Sequence, residues 1–398
     1  MKKVVVTGAG CISAIGNDVA TFSKNLFAGV SGIRAITKFN TDHFPVKKAG
    51  EISNFFPSAA FHVLDPFIQY GLTAAAEAIS GSGLQIDKLD PFRIGIAVSS
   101  SKGGMTTFER FSERLRKRPS ALLGARVYAN FLPNILAQWI ARRWKIKGPA
   151  KPTVVACATG TYAIIEGTRM IEDDEVDVCI AGASDASITP LLLAGYRKMG
   201  VIASDEIQPF DIRRDGFFIG EGAGVVILEN EEHARARKTK LLGRILSYAY
   251  GHESGDLISF PVDGDGLQNC LKRLVKLAGI SPKDIHSFFL HGTATKNGDL
   301  YEVSQIKNAF GSASQQISMS AIKSMIGHTI GASGAISFVA SLLSLRDQMA
   351  PPTIHLEKKD PECDLDFTPL HAKQKKISIS GSVSMGLGGH IGAILVSK

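Results

Sequence analysis

Short runs that are apolar throughout, rather than alternating with polar residues, recur along the chain with glycine beside them. They are KVVVTG, RIGIAVSSS, TVVA, VDVCIAGAS, GVVILE, KISISGSVS and GAILVS. Such runs predict strands buried on both faces. Between them, Phe67 to Ile79, Ala163 to Ile171 and Ile336 to Leu345 place apolar residues three and four apart, the spacing of helices with a buried face. Strands alternating with helices predict an α/β protein whose sheets are covered by helices.

Two segments repeat one pattern. Gly220-Glu221-Gly222-Ala223-Gly224 runs into VVILE, and Gly388-Gly389-His390-Ile391-Gly392 runs into AILVS. Each reads as a glycine-rich turn feeding a buried strand, which points to a duplicated unit. The charged stretch Glu229 to Lys240 follows the first copy and marks a seam, because a solvated charged segment closes a unit. The boundary is placed near residue 240, giving halves of 1–240 and 241–398.

Composition narrows the function classes. The chain has 398 residues, is 44% apolar and 21% charged, and contains 40 glycines. That is the make-up of an ordered protein with a large core and many tight turns. No run approaches the ~18 apolar residues of a membrane span, and the opening three valines are too short for a signal-peptide core. Five widely spaced cysteines without a C-x-x-C pair fit a reducing cytoplasm and no structural zinc. The net charge of +8 asks for an acidic partner. The basic residues lie in short groups, Arg114 to Arg118 and Arg142 to Lys147, with no nucleic-acid-binding signature. An acidic protein or a phosphate-bearing substrate fits better than nucleic acid. The opening VVVTGAG lacks the third glycine of a dinucleotide fingerprint, since Ser13 stands there.

Candidate chemistry centres on PTVVACATGTYAII, where an apolar run ends at Ala156, Cys157 occupies the turn and a helical pattern follows. A thiol at a helix start meets free N–H groups and the positive end of the dipole, which favour the thiolate. A small apolar residue in a core fits the local sequence equally well. Two histidines add weight: His291 follows the strand-like SFFL, and His328 follows SAIKSMIG, each where an apolar run meets glycine. A cysteine and two histidines in such settings fit a nucleophile with acid/base or oxyanion-stabilising groups.

At these residues the sequence resembles the elongating β-ketoacyl-acyl-carrier-protein synthases of the thiolase superfamily. The resemblance runs through VVVTGAGCISAIGN, ACATG, RRDGFFIGEGAGVVILE, HGTATKNGDLYE, KSMIGHTIGASGA, PPTIHLE and GLGG. It implies a thiolase-like fold of two duplicated halves in a layered αβαβα arrangement. By the resemblance, Cys157 is the nucleophile that carries an acyl chain. His291 and His328 assist decarboxylation of a malonyl-carrier, and Lys323 is the lysine of KSMIGH. Asp299 and Glu302 buttress that lysine, Thr293 and Thr295 contact the pantetheine arm, and Met385, Leu387 and Thr107 complete the substrate contacts. Backbone N–H groups of Cys157 and Leu387 form the oxyanion hole. The implied reaction is a decarboxylative condensation in fatty-acid or polyketide synthesis. It takes no metal or cofactor beyond the carrier's phosphopantetheine arm. The implied partners are an acyl carrier protein and a second synthase subunit, identical or synthase-like, with no nucleic acid and no membrane.

The sequence departs from the family at two places. The last glycine loop, GSVSMGLGGHIG, carries Met385 and Leu387 in place of two phenylalanines and His390 in place of a threonine. The stretch Ser58 to Val63, usually basic for carrier docking, is nearly uncharged, which leaves Arg126 and the Arg142 to Lys147 cluster as docking candidates. These departures keep two other roles open: a chain-length-determining partner subunit, and a decarboxylase or acyltransferase that does not condense.

Overall fold

The computed structural model describes residues 2–57, 61–120, 124, 127–261 and 263–398. Nine strands build the main sheet: β1 (Val4–Ile12), β2 (Ile94–Ser99), β3 (Val178–Ala186), β4 (Glu221–Asn230), β5 (Gly243–His252), β6 (Ser287–Phe289), β7 (Ser318–Ser320), β8 (Ile379–Gly386) and β9 (His390–Ser397). Their order is β2-β3-β4-β1-β5-β9-β8-β6-β7. β1 and β5 meet only at Val5 opposite Arg244 and Val6 opposite Gly243, so the sheet is two halves joined at one narrow seam.

The halves share one topology. In the first, β1 is antiparallel to β4, β4 antiparallel to β3, and β3 parallel to β2. In the second, β5 is antiparallel to β9, β9 antiparallel to β8, and β8 parallel to β6. β4 and β9, the strands fed by the two glycine-rich turns, occupy equivalent places. The repeated sequence pattern is therefore a repeated position in the sheet.

Helices accompany these halves, among them α1 (Pro66–Ser82), α2 (Met105–Lys117), α3 (Ile135–Trp144), α4 (Thr159–Glu172), α5 (Gly266–Ala278), α6 (Lys296–Phe310) and α7 (Ser333–Asp347). α1 and α3 pack on the outer face of the first half, and α5, backed by α6, on the second. α4 and α7 lie between the halves, α4 against β2 and β3, α7 against both β4 and β8. The layers are αβαβα. Every residue of α7 from Ser333 to Leu345 is buried, including four serines. That helix is enclosed on all sides, so the apolar spacing seen in its sequence marks less than its whole buried surface. α1 starts at an Asp65 cap followed by Pro66 and stops at left-handed Gly83.

One expected strand does not form. Ala150 pairs in parallel with Ile96, but among the described residues TVVA (153–156) has no strand beyond it to pair with and runs irregularly along the sheet edge, with Val154 48% exposed. Ser58 to Ala60 and Arg126, named above in connection with carrier docking, lie outside the described residues. Among the described residues no helix is long and apolar enough to cross a membrane.

Phe338 of α7 is 1% exposed within the central cluster. Phe338→Ala is expected to cost about 3–5 kcal/mol in urea unfolding, the range for deleting a buried aromatic. A loss under about 1 kcal/mol contradicts an enclosed α7.

Candidate active site

Cys157 sits in a tight turn, Ala156–Ala158, that leads straight into α4. Ala156 has φ +49°, a left-handed conformation that a Cβ disfavours. The Thr159 hydroxyl braces this turn from both sides, accepting from the Val155 N–H (3.0 Å) and donating to the Ala156 carbonyl (2.7 Å). Cys157 is thereby held at the foot of α4. Burial pushes its thiol up to about 11, against the opposing pull of Lys102, Lys323 and the Leu387 N–H. This corrects the expectation of a lowered pKa: loss of water outweighs the favourable charges around the thiol.

The two histidines approach from different elements. His291 comes two residues after β6, and its Nδ1 accepts from the Met385 N–H (3.4 Å). His328 lies between the short helix Lys323–Ile326 and the turn Ile330–Ala332, and its Nδ1 accepts from the Ile330 N–H (3.2 Å) and lies 3.0 Å from the Ser333 hydroxyl. With Nδ1 accepting in both rings, the proton belongs on Nε2. The ring centroids are 5.5 Å apart at 85°. Burial, reinforced by the charge of Lys323, holds both pKa values well below the ordinary 6.5. The site therefore offers two neutral imidazoles, each with a free Nε2–H.

Lys323 is buried and donates to the His291 carbonyl. Burial pulls its pKa down to about 8. The two acidic residues make their hydrogen bonds to backbone N–H groups. Glu302 accepts from the N–H groups of His291 (2.6 Å) and Gly292 (2.8 Å), and Asp299 from those of Phe210 (2.8 Å) and Ala294 (3.0 Å). Neither forms a direct ion pair with Lys323; Asp299 instead faces Arg214 at 3.7 Å. Both project from the first turns of α6 toward the backbone of the His291 to Ala294 loop, so they hold that loop by hydrogen bonds, while their charges also oppose the lowering of the Lys323 pKa. Burial raises each to about 7.

A cavity of about 550 Å³ opens over Cys157, His291 and His328, and Thr293, Thr295, Met385 and Leu387 also line it. The Thr293 and Thr295 hydroxyls are 3.0 Å apart. The last glycine loop reaches the nucleophile because Gly386 has no side chain: a Cβ there would stand 2.8 Å from the Val155 carbonyl oxygen and 3.2 Å from the Cys157 nitrogen. Thr107 is not part of this cavity. It is buried in α2, with its N–H on the Asp65 carboxylate at 2.8 Å. Phe217, whose ring meets His328 edge-on at 4.9 Å, and Tyr196 do line the cavity and were not singled out from sequence. Phe217 stands in the quoted RRDGFFIG motif, where its neighbours gave no sign of which phenylalanine faces inward. Among the described residues no group of three or more His, Cys, Asp or Glu could hold a metal ion.

Comparison with known proteins agrees with this geometry. Residues 1–234 match the family described as beta-ketoacyl synthase, N-terminal domain, and residues 242–357 that described as beta-ketoacyl synthase, C-terminal domain. The 3-oxoacyl-[acyl-carrier-protein] synthase 2 of Staphylococcus aureus is 37% identical, covering 100% of this chain and 98% of that protein. The Coxiella burnetii protein of the same name is 34% identical, covering 100% and 99%. Among solved structures, a type II PKS ketosynthase, bound to the hexaketide and in complex with its acyl-carrier protein, matches with a TM-score of 0.92 at 28% identity, covering 100% and 99%. The ishigamide ketosynthase/chain length factor matches at 0.93 and 28%, with the same coverage.

A lowered pKa keeps the neutral imidazole in place through the ordinary titration. Nitrogen-15 NMR of histidine-labelled protein should therefore show His291 and His328 as uncharged Nε2–H tautomers from about pH 8 to about pH 6. A ring that protonates within that range contradicts the site as described.

Proposed function

Because the chain belongs to the β-ketoacyl synthase family and is a β-ketoacyl-[acyl-carrier-protein] synthase, an acyltransferase of fatty-acid or polyketide synthesis, we propose that Cys157 carries the acyl chain and that His291 and His328 drive decarboxylation. One observation carries this assignment: the Cys157 thiol and two neutral Nε2–H donors open onto the same cavity.

Cys157 Sγ attacks the carbonyl of an acyl-carrier thioester, losing its proton, and the carrier thiol departs with one. The N–H groups of Cys157 and Leu387 face the oxygen that becomes negative, the second supported by its position against the sulfur. Malonyl-carrier then enters with its thioester oxygen toward His291 and His328. As CO2 leaves, the electron pair of the broken bond moves into the thioester, and the two Nε2–H groups hydrogen-bond the enolate oxygen. Neutral donors suit this role, because they stabilise the charge without protonating the carbon. The enolate carbon attacks the Cys157 thioester, a carbon–carbon bond forms, and Sγ leaves. Lys323 acts as a positioning residue through the His291 carbonyl. Thr293 and Thr295 hold the arm. Loss of CO2 drives the reaction, so neither metal nor nucleotide enters this scheme.

The partners we assign are an acyl carrier protein, which one matched ketosynthase structure includes, and a second copy of this chain. Exposed Arg142, Arg143, Lys145 and Lys147 at the end of α3 offer the carrier a basic surface. For the second copy, the sheet edge at 152–155 lacks a pairing strand among the described residues and exposes Val154. Segments linked through Asp65 to Thr107 and Asn130 also expose Val63, Phe108 and Tyr128. An unpaired edge and exposed apolar side chains fit a dimer interface. Five free cysteines accord with a cytoplasmic setting.

Incubation with an acyl-carrier thioester should add the acyl mass to Cys157 and nothing to Cys157→Ala. His328→Ala should still be acylated but lose about 100-fold or more in malonyl decarboxylation, the cost of one missing oxyanion donor. Acylation of Cys157→Ala, or unchanged decarboxylation by His328→Ala, sinks these roles. Light scattering should give a dimer mass that Val154→Asp reduces to a monomer; a wild-type monomer rules out the second copy.

A further inference from the structure

The tyrosines of this chain follow one rule, with a single exception. Tyr128 is 66% exposed and meets water. Five that are buried or half-buried donate to a fixed oxygen: Tyr70 to Glu221 (3.3 Å), Tyr162 to the Ile391 carbonyl (3.2 Å), Tyr248 to Glu172 (2.6 Å), Tyr250 to Glu166 (2.6 Å) and Tyr301 to Glu253 (2.7 Å). Burial demands such partners, because an unpaired hydroxyl loses its water and gains nothing in return. Tyr196, the seventh, is only 7% exposed, yet its hydroxyl makes no hydrogen bond among the described residues.

Its place in the site is fixed by packing. The short helix Pro190–Lys198 is capped by Thr189, and Leu193 and Tyr196, three positions apart, are its buried side chains. The Tyr196 ring meets Phe217 edge-on at 6.1 Å, and Phe217 meets His328 edge-on at 4.9 Å. These three rings line the cavity onto which Cys157 opens, and Tyr196 belongs to the same apolar cluster as Cys157, Leu193, Phe217 and Ile330. The Tyr196 hydroxyl is not sealed away from solvent as those of Ser187 and Ser287 are, and the space its side chain borders is this cavity. An acyl chain entering the cavity displaces water from that hydroxyl. A plain alkyl chain brings no acceptor to replace it, whereas a chain with an oxygen does.

We propose that Tyr196 donates a hydrogen bond to a carbonyl or hydroxyl oxygen on the acyl chain carried by Cys157, and so selects oxygenated chains over alkyl chains of equal length. The proposal rests on Cys157 being the acyl carrier. It adds no covalent step and makes Tyr196 a specificity-determining residue.

The test measures the rate of mass gain on Cys157 from carrier thioesters of matched length: a saturated acyl group and its 3-oxo and 5-oxo counterparts. Wild type is expected to favour at least one keto chain over the alkyl chain by about tenfold, the combined effect of one hydrogen bond made and one donor not left unpaired. Tyr196→Phe, which removes only the hydroxyl, should bring that ratio toward one. The same variant should unfold at no lower urea concentration than wild type, since no group of the protein loses a bond. A wild-type ratio near one, or a preference that survives in Tyr196→Phe, overturns the proposal. So does a lowered urea midpoint, which would reveal a partner for the hydroxyl inside the protein. Failure of every chain to label Cys157 is a separate result, and removes the acyl-carrier assignment itself.

Discussion

The site depends on how closely α4 and α7 cross between the two half-sheets. A Cβ on Gly160, at the start of α4, would stand 2.6 Å from the Ala335 nitrogen at the start of α7. Only a glycine permits that approach. Cys157 sits just before the first of these helices and His328 just before the second, so the crossing sets the distance between nucleophile and imidazole. The enclosure of α7 on every side then fixes its start. His291 is brought to the same place by the second half-sheet, through β6 and the loop that Glu302 and Asp299 hold by its N–H groups. The duplicated fold thus supplies the nucleophile from one half and both imidazoles from the other.

Burial explains the electrostatics of this arrangement. The same loss of water that keeps both imidazoles neutral raises the Cys157 thiol and the Glu302 and Asp299 carboxyls, and lowers Lys323. Every group moves toward its uncharged form, the direction desolvation imposes. Such a site disfavours fixed charge in its resting state and provides donors for charge that appears during reaction. Reaction at the sulfur is thereby tied to binding, since an entering thioester brings the groups that the buried thiol lacks.

Much of this was legible in the sequence because apolar runs and glycine turns have few alternative uses. Six of the seven predicted strands form, and the two glycine-rich repeats proved to be equivalent strands. TVVA failed because its apolar residues lie on a sheet edge, and sequence periodicity cannot separate an edge from a centre. Cys157, His291 and His328 were visible as residues at the ends of apolar runs. The partners of Glu302 and Asp299 were not, because a carboxylate's acceptor role is decided by which N–H groups the loop turns toward it. Thr107 shows the same limit: it is buried in α2 and does not line the cavity. Phe217 and Tyr196 gain their significance from contacts made across more than 20 residues of chain, which no local pattern records.

The central claim is that two neutral imidazoles couple the loss of CO2 to carbon–carbon bond formation at Cys157. The most direct measurement supplies acylated enzyme with carrier-bound malonyl labelled in its free carboxyl, and counts labelled CO2 against β-ketoacyl product. The account predicts one CO2 released for each product formed. Release of CO2 without a new carbon–carbon bond, or no release at all from acylated enzyme, would contradict it.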